Sequence, residues 1–147
     1  MTTFYKISGR YIVGVTFLLI LGCVPTSSEP QIEELSLPVV SGSRLSEFVN
    51  ESELPVLVEF GVDFQCDRCR RMKTPIVDLA DRFKGRAEVI RVDFNANAQK
   101  VAELGGTICP TYVFFVDGTP VQTKSFPVSA DILDSQLESL IASSPNR

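Results

Sequence analysis

Val56-Leu57-Val58-Glu59-Phe60-Gly61-Val62-Asp63-Phe64-Gln65-Cys66-Asp67-Arg68-Cys69 is the stretch from which the rest of the chain can be read. Its first five residues, introduced by Pro55, form a nearly continuous apolar run, the pattern of a strand buried on both faces. Glu59 is the exception, and an ionised carboxylate there would be costly without a partner. A helix is predicted over residues 66–84, because Met72, Ile76, Leu79, Ala80 and Phe83 recur at helical spacing. Pro75 falls inside it and removes one backbone donor, and Gly85 is its stop signal. The two cysteines therefore sit at the junction between a buried strand and the start of a helix.

Working outward, residues 35–40 are read as a first strand, placed at an edge by Pro38. Ser43 is the expected cap of a short helix reaching Asn50, with Leu45, Phe48 and Val49 on its apolar face. Residues 87–94 form the next strand and residues 97–104 a shorter helix. Residues 111–116 and 120–126 flank Asp117-Gly118, a hairpin signal. A last amphipathic helix covers residues 129–141, with Ile132, Leu133, Leu137, Leu140 and Ile141 inward. The order β-α-β-α-β-α-β-β-α implies an α/β domain whose mixed sheet is covered on both faces and closed by one antiparallel hairpin.

The pair Cys66/Cys69 has chemistry of its own. A thiol at a helix start gains from unpaired backbone N–H groups and the positive end of the helix dipole. Only the thiolate attacks a disulfide, and lowering a thiol pKa from about 8.5 to about 7 raises its population at neutral pH from about 3% to about 50%. Cys66, at the exposed edge, is the expected attacker; Cys69, one turn inward, is the expected resolving thiol. A purely structural bridge this short constrains little chain. A closed zinc site needs four ligands, and only Cys109 stands as a third in the domain. A metal-handling module or a non-catalytic binding domain using the same cysteines is the alternative. Arg68 favours the thiolate and Asp67 disfavours it, so side-chain direction decides their net effect.

This element order resembles the thioredoxin fold over residues 32–141. Three landmarks carry the resemblance in sequence: Val58-Glu59-Phe60, Cys66-Asp67-Arg68-Cys69, and Ile108-Cys109-Pro110-Thr111 before a strand. The resemblance implies a thiol–disulfide oxidoreductase with protein thiols or disulfides as substrates, a redox partner that resets it, and no organic cofactor. It also implies that Glu59 takes the role of a buried acid assisting proton transfer at the second cysteine, with its pKa raised by desolvation. Pro110 would be the cis-proline facing the disulfide, and the backbone at Cys109 would pair with an incoming peptide as a short strand. The chain departs from the family in carrying Asp-Arg between the cysteines rather than Gly-Pro, and in lacking the usual tryptophan. Phe64 stands where it can supply similar apolar surface, and Gln65 is an extra residue. Cys109 reads either as a small buried hydrophobe or as a third thiol within reach of Cys66.

Composition narrows the rest. The 147 residues include no histidine, which eliminates His-dependent triads, His-ligated metals and haem with an axial His. Lys6 and Arg10 precede an apolar run over residues 11–21, too short to span a bilayer and suited to a secretory signal. The run ends Leu19-Ile20-Leu21-Gly22-Cys23, which resembles the lipobox of bacterial lipoproteins. The resemblance implies a signal peptide over residues 1–22, a lipid-modified Cys23 with a tether over residues 23–31, and a domain over residues 32–147. A monomer is expected, held through that lipid at an extracytoplasmic (periplasmic) membrane face where disulfides persist. Without the leader the formal charge of −4 becomes about −6, a poor match to nucleic acid.

Overall fold

The computed structural model describes residues 36–127 and 129–143. The expected signal peptide, Cys23 and the tether lie outside the described residues.

Among the described residues the sheet has four strands, β1 (Val56–Gly61), β2 (Glu88–Asp93), β3 (Thr111–Val116) and β4 (Thr119–Ser125), in the order β2-β1-β3-β4. β1 pairs parallel with β2 and antiparallel with β3, and β3 pairs antiparallel with β4. Every residue of β1 is buried, as its apolar run requires of a central strand. Pro110 and Asp117-Gly118 bound β3, and Asp117 and Gly118 both adopt positive φ at the hairpin.

Among the described residues four α-helices cover the sheet: α1 (Leu45–Glu51), α2 (Asp67–Arg82), α3 (Ala98–Glu103) and α4 (Asp131–Ser143). Alternation along the strands divides the core. Leu57, Tyr112 and Phe114 pack with Met72, Ile76 and Leu79 of α2 and Leu133 and Leu137 of α4. Val58, Phe60, Ile90, Val92, Val113 and Phe115 pack with Leu45 and Val49 of α1 and Val101 of α3. The mixed sheet flanked by helices on both faces is thus the expected architecture.

Three local expectations are corrected. In place of the expected first strand the described residues contain a single parallel bridge, Val39 to Arg91, because Pro38 supplies a carbonyl but no N–H to a ladder. Ser43 does not cap α1: the N-cap is Arg44, without a side-chain hydrogen bond, and the Ser43 hydroxyl faces that of Ser41 at 3.1 Å. The short helix expected over residues 97–104 forms as α3, preceded by a 3-10 turn over Asn95–Asn97 beside which the Asp93 carboxylate accepts from the Ala96 N–H. Ile132 of α4 lies at the surface, while Leu133 and Leu137 are buried.

Candidate active site

The site is built where β1 ends and α2 begins. After Gly61 the chain crosses the top of the sheet and turns at Gln65, whose φ of 57° lies in the left-handed region. The turn delivers Cys66 in extended conformation as the N-cap of α2. Its sulfur accepts a hydrogen bond from the Cys69 N–H at 3.0 Å, the contact a capping serine or aspartate makes elsewhere. A free N–H at a helix N-terminus thus points at the atom that carries negative charge when the disulfide opens.

Cys66 and Cys69 are joined in a disulfide with Cα atoms 5.3 Å apart. Cys66 is partly exposed, whereas Cys69 is buried at 3%. A partner can therefore reach the first sulfur far more readily than the second, the asymmetry expected of attacker and resolver.

The loop before β3 closes over the pair. The Cys109–Pro110 peptide bond is cis, as the resemblance implied. Cys109 is a half-buried free thiol, its sulfur 3.1 Å from Cys69 Sγ and 4.0 Å from Cys66 Sγ. Burial, chiefly, pushes the Cys109 thiol pKa up; a Val62 backbone hydrogen bond opposes this, and the charges of Glu59 and Asp93 add to it. The third-thiol reading of the sequence is thus met in position: all three sulfurs lie within 4.8 Å of one another.

Glu59 is fully buried in β1, and two residues that sequence reasoning did not connect to it hold it there. Arg91 Nε donates to Glu59 Oε2 at 2.7 Å, and the Tyr112 hydroxyl donates to Oε1 at 2.9 Å. The pairing register makes this a row across three strands, since Glu59 faces Arg91 on β2 and Tyr112 on β3. Arg91 reaches on to Asp63 at 2.9 Å. The Tyr112 phenol pKa is driven up by burial and by the adjacent carboxylate, so Tyr112 remains a donor. Both oxygens of Glu59 are engaged, which makes the carboxylate a tied member of a buried network. One signal in the sequence pointed here: Arg91 stands between Ile90 and Val92, two buried apolar residues of β2.

The intervening residues turn away from each other. Asp67 pairs with Arg70 at 2.6 Å on the exposed helix surface. Arg68 stacks over the Phe126 ring, 4.3 Å from its centroid. Phe64 is 84% exposed, so it is not a packing replacement for a tryptophan. It borders an open groove with Leu37, Val39, Cys69 and Arg91. Ile108, beside Cys109, is also exposed.

A mixed sheet with helices on both faces, carrying a disulfide at a helix N-terminus beside a cis-proline loop, defines a thiol–disulfide oxidoreductase. The thioredoxin family model matches residues 36–139, and the chain belongs to that family. It is 33% identical to a thioredoxin of Synechocystis over 69% of this chain and 94% of that protein. It is 32% identical to thioredoxin 1 of Nostoc, over 67% of this chain and 92% of that protein. The thioredoxin of Porphyra purpurea is 30% identical over 74% of this chain and the whole of that protein.

Proposed function

We propose that this oxidoreductase works on protein thiols and disulfides from a membrane anchor, with Cys66 as nucleophile and Cys69 as resolving thiol. The observation that carries the mechanism is the asymmetry of the pair: Cys66 is partly exposed and capped by the Cys69 N–H, while Cys69 is buried. In the reducing direction, the Cys66 thiolate attacks a substrate disulfide. One substrate sulfur leaves as a thiolate and a mixed disulfide forms. Cys69 then attacks Cys66 Sγ, closing the internal disulfide and releasing the second substrate thiol. A redox partner returns two electrons to reopen it. Run backwards, the same steps oxidise a substrate dithiol.

The exposed apolar side chains Phe64 and Ile108 support a peptide rather than a small polar molecule as guest. Trapping tests the assignment: Cys69→Ala accumulates mixed disulfides with substrate proteins, and Cys66→Ala does not. Equal trapping by both variants would remove the roles given to the two sulfurs.

The anchor rests on Lys6, Arg10, the apolar run over residues 11–21 and the Leu21-Gly22-Cys23 junction. Lipid on Cys23 would hold a monomeric domain at an extracytoplasmic face by burying its methylenes, about 0.8 kcal/mol each. Mass spectrometry of the mature N-terminus and release from membranes by Cys23→Ser test this part separately. An unmodified Cys23 would contradict it.

A further inference from the structure

The three sulfurs at the site are arranged as a triangle, and a triangle serves one chemistry better than another. If Cys109 were an internal nucleophile toward the disulfide, its sulfur would have to approach along the line of the bond it breaks. With an ordinary S–S bond of about 2.05 Å, distances of 3.1 Å to Cys69 Sγ and 4.0 Å to Cys66 Sγ place the approach on Cys69 at about 100° from that bond, well off the line. Cys109 sits to the side of the disulfide.

Three thiolates around one ion need the same side-on placement. With metal–sulfur bonds of about 2.3 Å, three sulfurs in a plane about a central ion stand about 4.0 Å apart. Cys66 and Cys109 already have that separation. Reduction frees Cys66 Sγ and Cys69 Sγ from their bond, and the triangle is complete once Cys69 Sγ moves about 1 Å away from Cys109 Sγ and about 2 Å away from Cys66 Sγ. Among the described residues these cysteines form the cluster whose ligand atoms converge, all within 4.8 Å.

The surroundings select the ion. The buried carboxylate in the neighbouring strand, Glu59, is engaged at both oxygens by Arg91 and Tyr112 and does not offer a fourth ligand. Thiolates favour copper(I), zinc and iron–sulfur clusters over hard cations. A structural zinc site is closed by four protein ligands, whereas copper(I) is content with three thiolates and needs no water to complete its shell. The Cys69 N–H on Cys66 Sγ and the helix N-terminus behind it moderate the negative charge of the thiolates. Cys66 and Cys109 are partly exposed, which gives the ion a way in.

We infer that the dithiol form of this protein holds one copper(I) ion through Cys66, Cys69 and Cys109, and that oxidation to the disulfide abolishes the site. As the ion binds, three Cu–S bonds replace three S–H bonds, three protons pass to the buffer, and no electron moves. The disulfide must first be opened by two electrons from a dithiol or phosphine reductant. The inference rests on the redox cycle of the Cys66/Cys69 pair, because only that cycle supplies the open ligands. It gives Cys109 a part in the molecule that disulfide exchange does not require.

The test uses the full chain carrying Cys23→Ser, so that Cys23 contributes no sulfur. The anaerobically reduced protein is titrated with copper(I) supplied as its bicinchoninate complex, and sulfur neighbours are counted by X-ray absorption. One copper per chain with three sulfurs at about 2.3 Å is expected. Cys109→Ser is expected to leave two sulfurs and to weaken binding at least tenfold, and the oxidised protein should leave the copper with the chelator. Two sulfurs in the parent, or equal binding by the oxidised form, would overturn the site; neither result depends on a variant folding. The Cys66/Cys69 redox midpoint is measured on the same preparation. A normal midpoint without copper binding removes this inference alone, whereas a pair that never cycles removes the functional reading beneath it.

Discussion

Arg91 donates to Glu59 across the parallel pairing of β2 and β1, Nε to Oε2 at 2.7 Å, on a carboxylate with no solvent exposure. The pair is a directly opposed register position, 32 residues apart in sequence, and Tyr112 completes it from β3. It lies in the strand that leads to the redox pair, so the strand end and the carboxylate are fixed together.

Removing one member of such a pair leaves the other charge buried and uncompensated. Arg91→Ala is therefore expected to lower stability by about 3 kcal/mol, read as a shift in the denaturant midpoint at unchanged slope. Combining it with Glu59→Gln should cost less than the sum of the two single changes. Additive losses would mean that the ion pair contributes little coupling.

Cys109 should show the sign of its environment in its reactivity. Burial holds the thiol neutral beyond the ordinary thiol range, so at neutral pH the nucleophilic thiolate is scarce. In the oxidised protein, where Cys66 and Cys69 are blocked, alkylation of Cys109 is expected to stay slow through neutral pH and to rise only at a pH above that of an ordinary free thiol. The native state keeps this proton while the unfolded chain loses it. That stabilising contribution is full below the unfolded thiol pKa and is lost as pH climbs through the raised native value. Fast alkylation of Cys109 at pH 7 would contradict the burial.

The reduced protein should distinguish its first two sulfurs. Cys66 is partly exposed and Cys69 buried, so limiting iodoacetamide at neutral pH is expected to label Cys66 at least tenfold faster than Cys69, by peptide mapping. Comparable labelling of the two would remove the structural basis for naming an attacker.

Phe64 offers a separate check on the guest surface. With 84% of its surface exposed, Phe64→Ala should change stability by less than about 0.5 kcal/mol. If the exposed ring meets protein substrates, KM rises severalfold while kcat stays within twofold. An unchanged KM would leave the groove beside Phe64 outside substrate recognition.

Much of this was legible in the sequence, for identifiable reasons. β3 could be bounded closely because Pro110 and Asp117-Gly118 stand at its ends, and α2 because its apolar residues keep one face for four turns. Cys66 and Cys69 were legible because they lie between the apolar run of β1 and the helical periodicity that follows from Met72. What escaped depends on tertiary pairing. The partner of Glu59 is set by strand register, which no local pattern encodes, although an arginine between the buried Ile90 and Val92 marked where to look. The directions of Asp67 and Arg68 are decided by Arg70 and by Phe126, the residue that follows β4. The first strand shrank to one bridge because Pro38 limits the ladder more strongly than the apolar pattern promotes it.

The most direct test is a redox titration of the protein in glutathione or dithiothreitol buffers, quenched with an alkylating mass tag and mapped by peptide. A single two-electron transition confined to Cys66 and Cys69 is expected, with a midpoint between about −270 and −120 mV and Cys109 tagged as a free thiol throughout. A pair that stays bonded or stays open across that whole range, or a transition that consumes Cys109 instead, would contradict thiol–disulfide exchange at the Cys66 helix end.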